Sequence, residues 1–272
     1  MIIDCHQHTN WLGRHTGDLV AYLDKAGVRK AWLLSWESTD GAREPAYTHL
    51  AIEDVFDAAR QHPRRLIVGA GPDPRREDFP ALLRRCHRRG ARVYGEIKLR
   101  VLMDTPELVE AFRLAGRLGM PVLFHLQVPR ASRGRVGAWY LGDVDAVERT
   151  CRKCPDTTFI AHGPGWWAHL SADRGAYRSD YPAGPVVPGG KVLQLLDTYD
   201  NLFCDLSANS ALNALTRDPA FGRQFLIDYA DRLLYGADFF DTRMLDLLAR
   251  LRLPRAAEKS ILSGNALRLV PD

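Results

Sequence analysis

Eight short apolar or β-branched runs recur along the chain, and each is followed by a longer stretch with helical periodicity. The runs fall at residues 1–5 (MIIDC), 30–35 (KAWLLS), 65–70 (RLIVGA), 93–99 (VYGEIKL), 121–126 (PVLFHL), 157–161 (TTFIA), 201–206 (NLFCDL) and 232–236 (RLLYG). Between them lie amphipathic stretches, at residues 17–26, 48–61, 79–89, 106–118 and 142–152 among others, several opened by Asp, Thr or Pro as helix starts often are. Such alternation is the pattern of βα units around a parallel sheet. The length alone admits two small domains or one large barrel, but 272 residues over eight units give 34 per unit. That is the size a closed (β/α)8 barrel requires, whereas a doubly wound sheet uses about five to seven strands. The expected fold is therefore α/β, a single TIM-barrel domain spanning residues 1–272. The one interruption is residues 163–190, with four prolines, too long for an ordinary βα loop and placed where a lid or an interface element would sit.

Composition narrows the partners. With 46% hydrophobic and 26% charged residues the chain can bury a sizeable core without staples. No apolar run approaches the ~18–20 residues of a membrane span, and the polar start MIIDCHQH does not read as a signal peptide. Five scattered cysteines argue against a disulfide framework, and Cys151 and Cys154, without a second pair, are expected to be buried thiols. A cytoplasmic location is the expectation. A net charge of +4 is too small and dispersed for a nucleic-acid binder, and the basic cluster at Arg84, Arg85, Arg88 and Arg89 reads as a solvated helix face.

In a barrel of this kind chemistry sits at the C-terminal ends of the strands. The first run ends in His6-Gln7-His8, whose histidines, two apart, point to the same side; the fourth carries Glu96 and Lys98, also two apart. The fifth ends in His125, the sixth is followed by His162 and the eighth by Asp238. Any one of these is ordinary, but four histidines and two carboxylates at one end of one barrel form a constellation. His49, His62 and His87 fall on helices and are expected at the surface. Imidazole and carboxylate donors with an open position suit a borderline divalent ion such as Zn²⁺. Such an ion lowers the pKa of bound water from 15.7 toward about 7, and Asp238 is placed to take that proton and return it to a leaving group.

The segments IDCHQH, GEIKL, VLFHL, FIAHGPG, LLYGADFF and ILSGNALRL, in this order from Ile3 to Leu269, resemble the amidohydrolase-related branch of the amidohydrolase superfamily. The resemblance implies a metal-dependent barrel with His6, His8, His125 and Asp238 as metal ligands. It implies for His162 either a ligand role toward a second metal or, as in decarboxylase members, that of catalytic base. GEIKL also resembles the GEIGLD segment of TatD-like hydrolases, where the glutamate bridges two metals, which makes Glu96 a sixth candidate ligand. Lys98 stays open between a substrate-anion contact, an ion pair with Glu96 and, least of all, a carbamylated bridge. Trp166 and Trp167 are candidate pocket walls, and His169, Arg174, Tyr177 and Tyr181 candidate contacts from the long loop. Arg100 and Arg130 are candidate carboxylate binders, and Gly264-Asn265-Ala266 reads as a turn packing the last helix under the barrel.

The expected activity is hydrolysis of an amide, ester or lactone-type carbonyl with one or two divalent ions, zinc first among them. The alternative is non-oxidative decarboxylation of a small carboxylic acid, and a metal-free binding barrel is a third reading that the intact His/Asp set disfavours. The expected partner is a small molecule, with no nucleic acid and no membrane, and the 163–190 loop is the place for a homodimer contact.

Overall fold

In the computed structural model residues 1–38, 50–128, 131–132, 135–136 and 139–271 are described. Eight parallel strands form one sheet in sequential order: β1 (Ile3–Gln7), β2 (Lys30–Leu34), β3 (Leu66–Ala70), β4 (Val93–Ile97), β5 (Val122–His125), β6 (Phe159–His162), β7 (Leu202–Asp205) and β8 (Leu233–Leu234). Each lies within or against one of the eight runs read from the sequence. The short β8 closes the barrel on β1 through Cys5 N–H donating to the Tyr235 carbonyl at 2.9 Å and Asp238 N–H donating to the His6 carbonyl at 2.8 Å. The TIM-barrel expectation holds. A two-stranded hairpin, Ala131–Ser132 with Arg135–Val136, follows β5.

The helices form for the reason their spacing gives. In Phe79–Arg88 the buried residues Phe79, Leu82, Leu83 and Cys86 repeat every three to four positions, while Arg84, Arg85 and Arg88 face water. In Val144–Lys153 the Asp143 side chain caps the first turn by accepting from the Ala146 N–H at 2.9 Å. All five cysteines are free and buried. Among the described residues no helix is long and apolar enough to cross a membrane.

Two apolar cores result. One lies between the strands and the surrounding helices; the other fills the barrel, with Ile3, Cys5, Trp32, Leu34, Val93, Leu123, Ile160, Phe203 and Leu234 pointing inward. Ala266 and Val270 of the C-terminal segment plug its floor. Residues 264–266 are not the turn expected from sequence: the π-helical turn Ser260–Gly264 runs directly into the helix Asn265–Leu269. The packing part of that expectation stands, because Asn265 Nδ2 donates to the carbonyls of Ala230 (2.8 Å) and Leu233 (2.7 Å) at the foot of β8. Replacing Asn265 with Ala leaves those carbonyls without their donor and is expected to cost about 1–3 kcal/mol. Urea unfolding measures it, and a loss below about 0.5 kcal/mol would contradict the tether.

Candidate metal centre

The polar cluster sits on the inward face of the strand ends, directly above the inner core. For β5, β6 and β7 simple alternation delivers it: Leu123, Ile160 and Phe203 point inward, and so do His125, His162 and Asp205 two residues on. For β1 and β4 it does not, since Ile3, Cys5 and Val93 already point inward and strict alternation would turn His6 and Glu96 outward. Both strands carry a register shift, between Asp4 and Gln7 in β1 and between Tyr94 and Ile97 in β4. The extra residue re-aims His6, His8, Glu96 and Lys98 into the mouth of the barrel.

Four donor atoms converge there. His6 Nε2 and His8 Nε2 are 3.1 Å apart. Glu96 Oε2 lies 3.6 Å from the first and 3.4 Å from the second, and Asp238 Oδ1 stands at the same two distances. Asp238 reaches this position with φ of 63°, the left-handed region that Asp tolerates better than most residues. The other carboxylate oxygens face a second group: Glu96 Oε1 is 3.0 Å from His125 Nδ1, and Asp238 Oδ2 is 3.8 Å from His162 Nε2. His125 and His162 are paired across β5 and β6 with ring centroids 5.1 Å apart. Gly163, at φ 102°, lets the chain turn away at once; a Cβ there would stand 2.6 Å from the Leu126 carbonyl oxygen and 3.1 Å from His125 Cδ2.

The arrangement fits a divalent ion. His8 Nδ1–H donates to the Leu34 carbonyl at 2.9 Å and His6 Nδ1–H to Asp205 Oδ2 at 2.6 Å, so both Nε2 lone pairs face the same point. Lone pairs facing each other at 3.1 Å repel unless a cation lies between them, and two nitrogens at about 2.0–2.1 Å from one ion are about 3.0–3.4 Å apart. The buried His125 Nε2 has no hydrogen-bond partner among the described residues, which makes it another donor suited to an ion. Three sets could each hold one: His6, His8 and Asp238; Glu96, His125 and His162; and His6, His162 and Asp205.

Electrostatics follow from burial opposed by close charges. Burial acts to lower the His6 pKa, but the Asp238 and Asp205 carboxylates outweigh it and hold that imidazole well above its usual value. His8 is raised likewise, by Asp238 and Glu96 against burial. Burial acts to raise Glu96 and Asp238, yet Lys98 and the histidines hold Glu96 well below the carboxylate range, and His6 and His8 hold Asp238 below it. His162 is pushed well down by burial and by the charge of His6, and His125 is lowered by burial and by Lys98.

A pocket of about 170 Å³ opens over these groups, walled by Trp11, Trp36, Tyr181 and Phe239. Lys98, also in the wall, places Nζ 5.1 Å above the Trp36 ring and 5.2 Å above that of Tyr140. Other sequence expectations need correction. Trp166 and Trp167 are fully enclosed in the outer core and do not wall the pocket; Trp167 Nε1 donates to the Asp205 carbonyl instead. Arg100 is not among the pocket's described lining residues and lies 6.0 Å from the Tyr140 ring. His169 is buried, its Nδ1 donating to the Gly165 carbonyl, and Arg174 is exposed. Of the long loop, Pro164, Asp180 and Tyr181 do reach the pocket, and the loop is not structureless, since it contains the helix Pro164–Ala168 and the 3-10 turn Arg174–Tyr177. His62 and His87 are partly exposed and away from the pocket. Arg130, His49 and the Tyr177 side chain lie outside the described residues.

Sequence reasoning missed the group beneath the histidines. Asp205, fully buried, accepts from His6 Nδ1, from Ser207 Oγ at 2.8 Å and from Ser207 N–H at 2.9 Å. Asp4, pushed up to about 7 by burial, accepts from the N–H groups of His6 and Ala237 and from Gln7 Nε2, stitching β1 to the end of β8. Both are carboxylates on strands already identified, and Asp205 stands at a strand end on the inward phase. Trp11, Trp36 and Phe239 carried no comparable signal.

Among solved structures the chain is similar over its whole length to several barrels at low identity. An uncharacterised TIM-barrel protein from Bordetella bronchiseptica superposes with a TM-score of 0.68 at 15% identity, covering 99% of this chain and 98% of that one. A protein assigned as a 2-pyrone-4,6-dicarboxylic acid hydrolase from Acinetobacter baumannii, with citric acid bound, gives 0.61 at 14% identity, covering 98% of each chain. A dihydroxybenzoic acid decarboxylase from Polaromonas sp. JS666, with manganese and the inhibitor 2-nitroresorcinol bound, gives 0.64 at 17% identity, covering 98% of this chain and 96% of that one. No curated protein matches at the sequence level. An amidohydrolase family model matches residues 3–271, the same span that carries the converging histidines and carboxylates, and the chain belongs to the amidohydrolase family.

Proposed function

We propose that the protein is a metal-dependent hydrolase of amide, ester or lactone-type carbonyls in small molecules, with His6, His8, Glu96, His125, His162 and Asp238 as its ligand set. The observation that carries the reading is the division of Glu96, whose Oε2 lies among the His6 and His8 nitrogens and whose Oε1 lies on His125. A carboxylate held between two nitrogen clusters is suited to bridging two ions. Nitrogen and oxygen donors of this kind suit zinc, which we propose as the resident ion, and manganese is compatible with the same donors. An ion held there supplies Lewis acidity, polarising the carbonyl and acidifying water.

The protein's own residues do the rest. Asp238 touches the His6 and His8 side of the cluster through Oδ1 and His162 through Oδ2, so it can take a proton on one side and pass it to the other. His162, with its pKa pushed well down, is neutral, so its Nε2 lone pair is available to an ion. Trp11, Trp36 and Phe239 exclude bulk water, and Lys98 offers its charge to an anionic group of the substrate.

A second reading, decarboxylation, is favoured by that same Lys98, a cation in the pocket wall able to orient a carboxylate while His162 or Asp238 delivers a proton to carbon. Metal analysis of the purified protein, combined with a panel of lactones, amides and aromatic carboxylates, separates the two. Two equivalents of metal with hydrolysis and no CO₂ are expected; one equivalent with CO₂ release overturns the hydrolase reading.

A further inference from the structure

Asp205 and Ser207 form one rigid unit under the histidines. The Ser207 N–H folds back onto Asp205 Oδ1 at 2.9 Å, a turn closed by the Asp side chain, and Ser207 Oγ meets Asp205 Oδ2 at 2.8 Å. Gly236 makes room for the pair, since a Cβ there would stand 2.3 Å from Asp205 Oδ1 and 3.1 Å from Ser207 Cβ. Both members of this unit face both histidines: His6 Nδ1 lies 2.6 Å from Asp205 Oδ2 and 3.4 Å from Ser207 Oγ, and His162 Nδ1 lies 2.8 Å from Ser207 Oγ and 3.3 Å from Asp205 Oδ2.

We infer that Ser207 is a positioning residue that holds His162 in the tautomer protonated at Nδ1, leaving an Nε2 lone pair aimed at Asp238 and the pocket. A serine hydroxyl has one proton. Were it donated to His162, the Ser207 oxygen would turn lone pairs toward the Asp205 carboxylate at 2.8 Å, a repulsive contact buried away from water. Donated to Asp205, it leaves Oγ as an acceptor, and the group 2.8 Å away that must then donate is His162 Nδ1. One buried carboxylate thereby orients two histidines, His6 directly and His162 chiefly through a hydroxyl that stands nearer to its Nδ1 than the carboxylate oxygen does. Either role considered for His162, ligand or base, needs the Nε2 lone pair. Ser207 thus serves the proposed reaction, and its effect on the tautomer is measurable without turnover.

The test is a long-range ¹H–¹⁵N spectrum of the protein stripped by a chelator and carrying ¹⁵N-histidine, where no ion on Nε2 dictates the tautomer, with His162 assigned by the signals lost in His162→Gln. The wild type is expected to show His162 with a protonated Nδ1 and an unprotonated Nε2. In Ser207→Ala only the Asp205 carboxylate, 3.3 Å away, is left to accept from Nδ1, and the Nε2–H tautomer should rise about threefold or more, while Ser207→Thr, which keeps the hydroxyl, retains the wild-type spectrum. Should the Ala variant not fold, Ser207→Cys, a much weaker acceptor, is expected to shift the tautomer in the same direction. A proton on Nε2 in the wild type, or a His162 spectrum unchanged in the variant lacking the hydroxyl, overturns the inference. Loss of hydrolysis on the substrate panel with the expected tautomer intact would instead count against the proposed reaction.

Discussion

Asp238→Asn is expected to lower turnover about 10³-fold or more at full metal loading, because it removes a ligand charge and a proton carrier in one step. Asp238 stands partly exposed among His6, His8 and His162, and the histidines hold its carboxyl below the usual range against desolvation, so it is an anion at neutral pH. Asn has the same shape, tolerates the φ of 63° found here and can still accept through one oxygen. The fold and the N–H bond from residue 238 to the His6 carbonyl should therefore survive, and the loss reports chemistry rather than collapse. Rates on a responsive substrate, read beside metal content and thermal midpoint, decide it. A variant that keeps more than about a tenth of wild-type activity with metal in place would remove Asp238 from the proton path.

Most of the barrel was legible because its signal is additive over many residues. Each run of β-branched and apolar side chains fits a strand buried on both faces, and eight such runs at one spacing leave few topologies. The pairs His6/His8 and Glu96/Lys98 were legible too, since residues two apart share a side whatever the phase of the strand. That the side is the inner one depends on register shifts in β1 and β4, which no residue in IDCHQ or VYGEI announces. Asp205 was legible and overlooked: it follows Phe203 by two in NLFCDL and stands at the inward end of β7. Trp166 misled by proximity to His162, because Gly163 reverses the chain and the helix after it packs its tryptophans into the outer core. The pocket walls Trp11, Trp36 and Phe239 come from three different strand-end loops, and only the closed barrel brings them together.

Metal uptake should release about one proton per ion bound between His6 and His8, and its apparent affinity should rise about tenfold per pH unit through the neutral range. His6 Nδ1–H is committed to Asp205 and His8 Nδ1–H to the Leu34 carbonyl, so the Nε2 atoms, 3.1 Å apart, approach with lone pairs forward. In protein stripped by a chelator a proton must bind between them, making an imidazole–imidazolium pair, and the two neighbouring carboxylates favour it. Since His6 is held well above its ordinary 6.5, that proton stays on through neutral pH, and the incoming ion must displace it. Acidifying the solution therefore weakens binding, and the dependence does not level off near 6.5 as it would for a free imidazole. The same raised pKa stabilises the stripped fold below the unfolded value, and that contribution fades as pH climbs through the folded one. Titration calorimetry with zinc in buffers of different ionisation enthalpy counts the protons directly. An enthalpy independent of buffer, or an affinity flat across roughly pH 6–8, would mean that no proton sits between the two histidines and that the cluster meets its ion fully deprotonated.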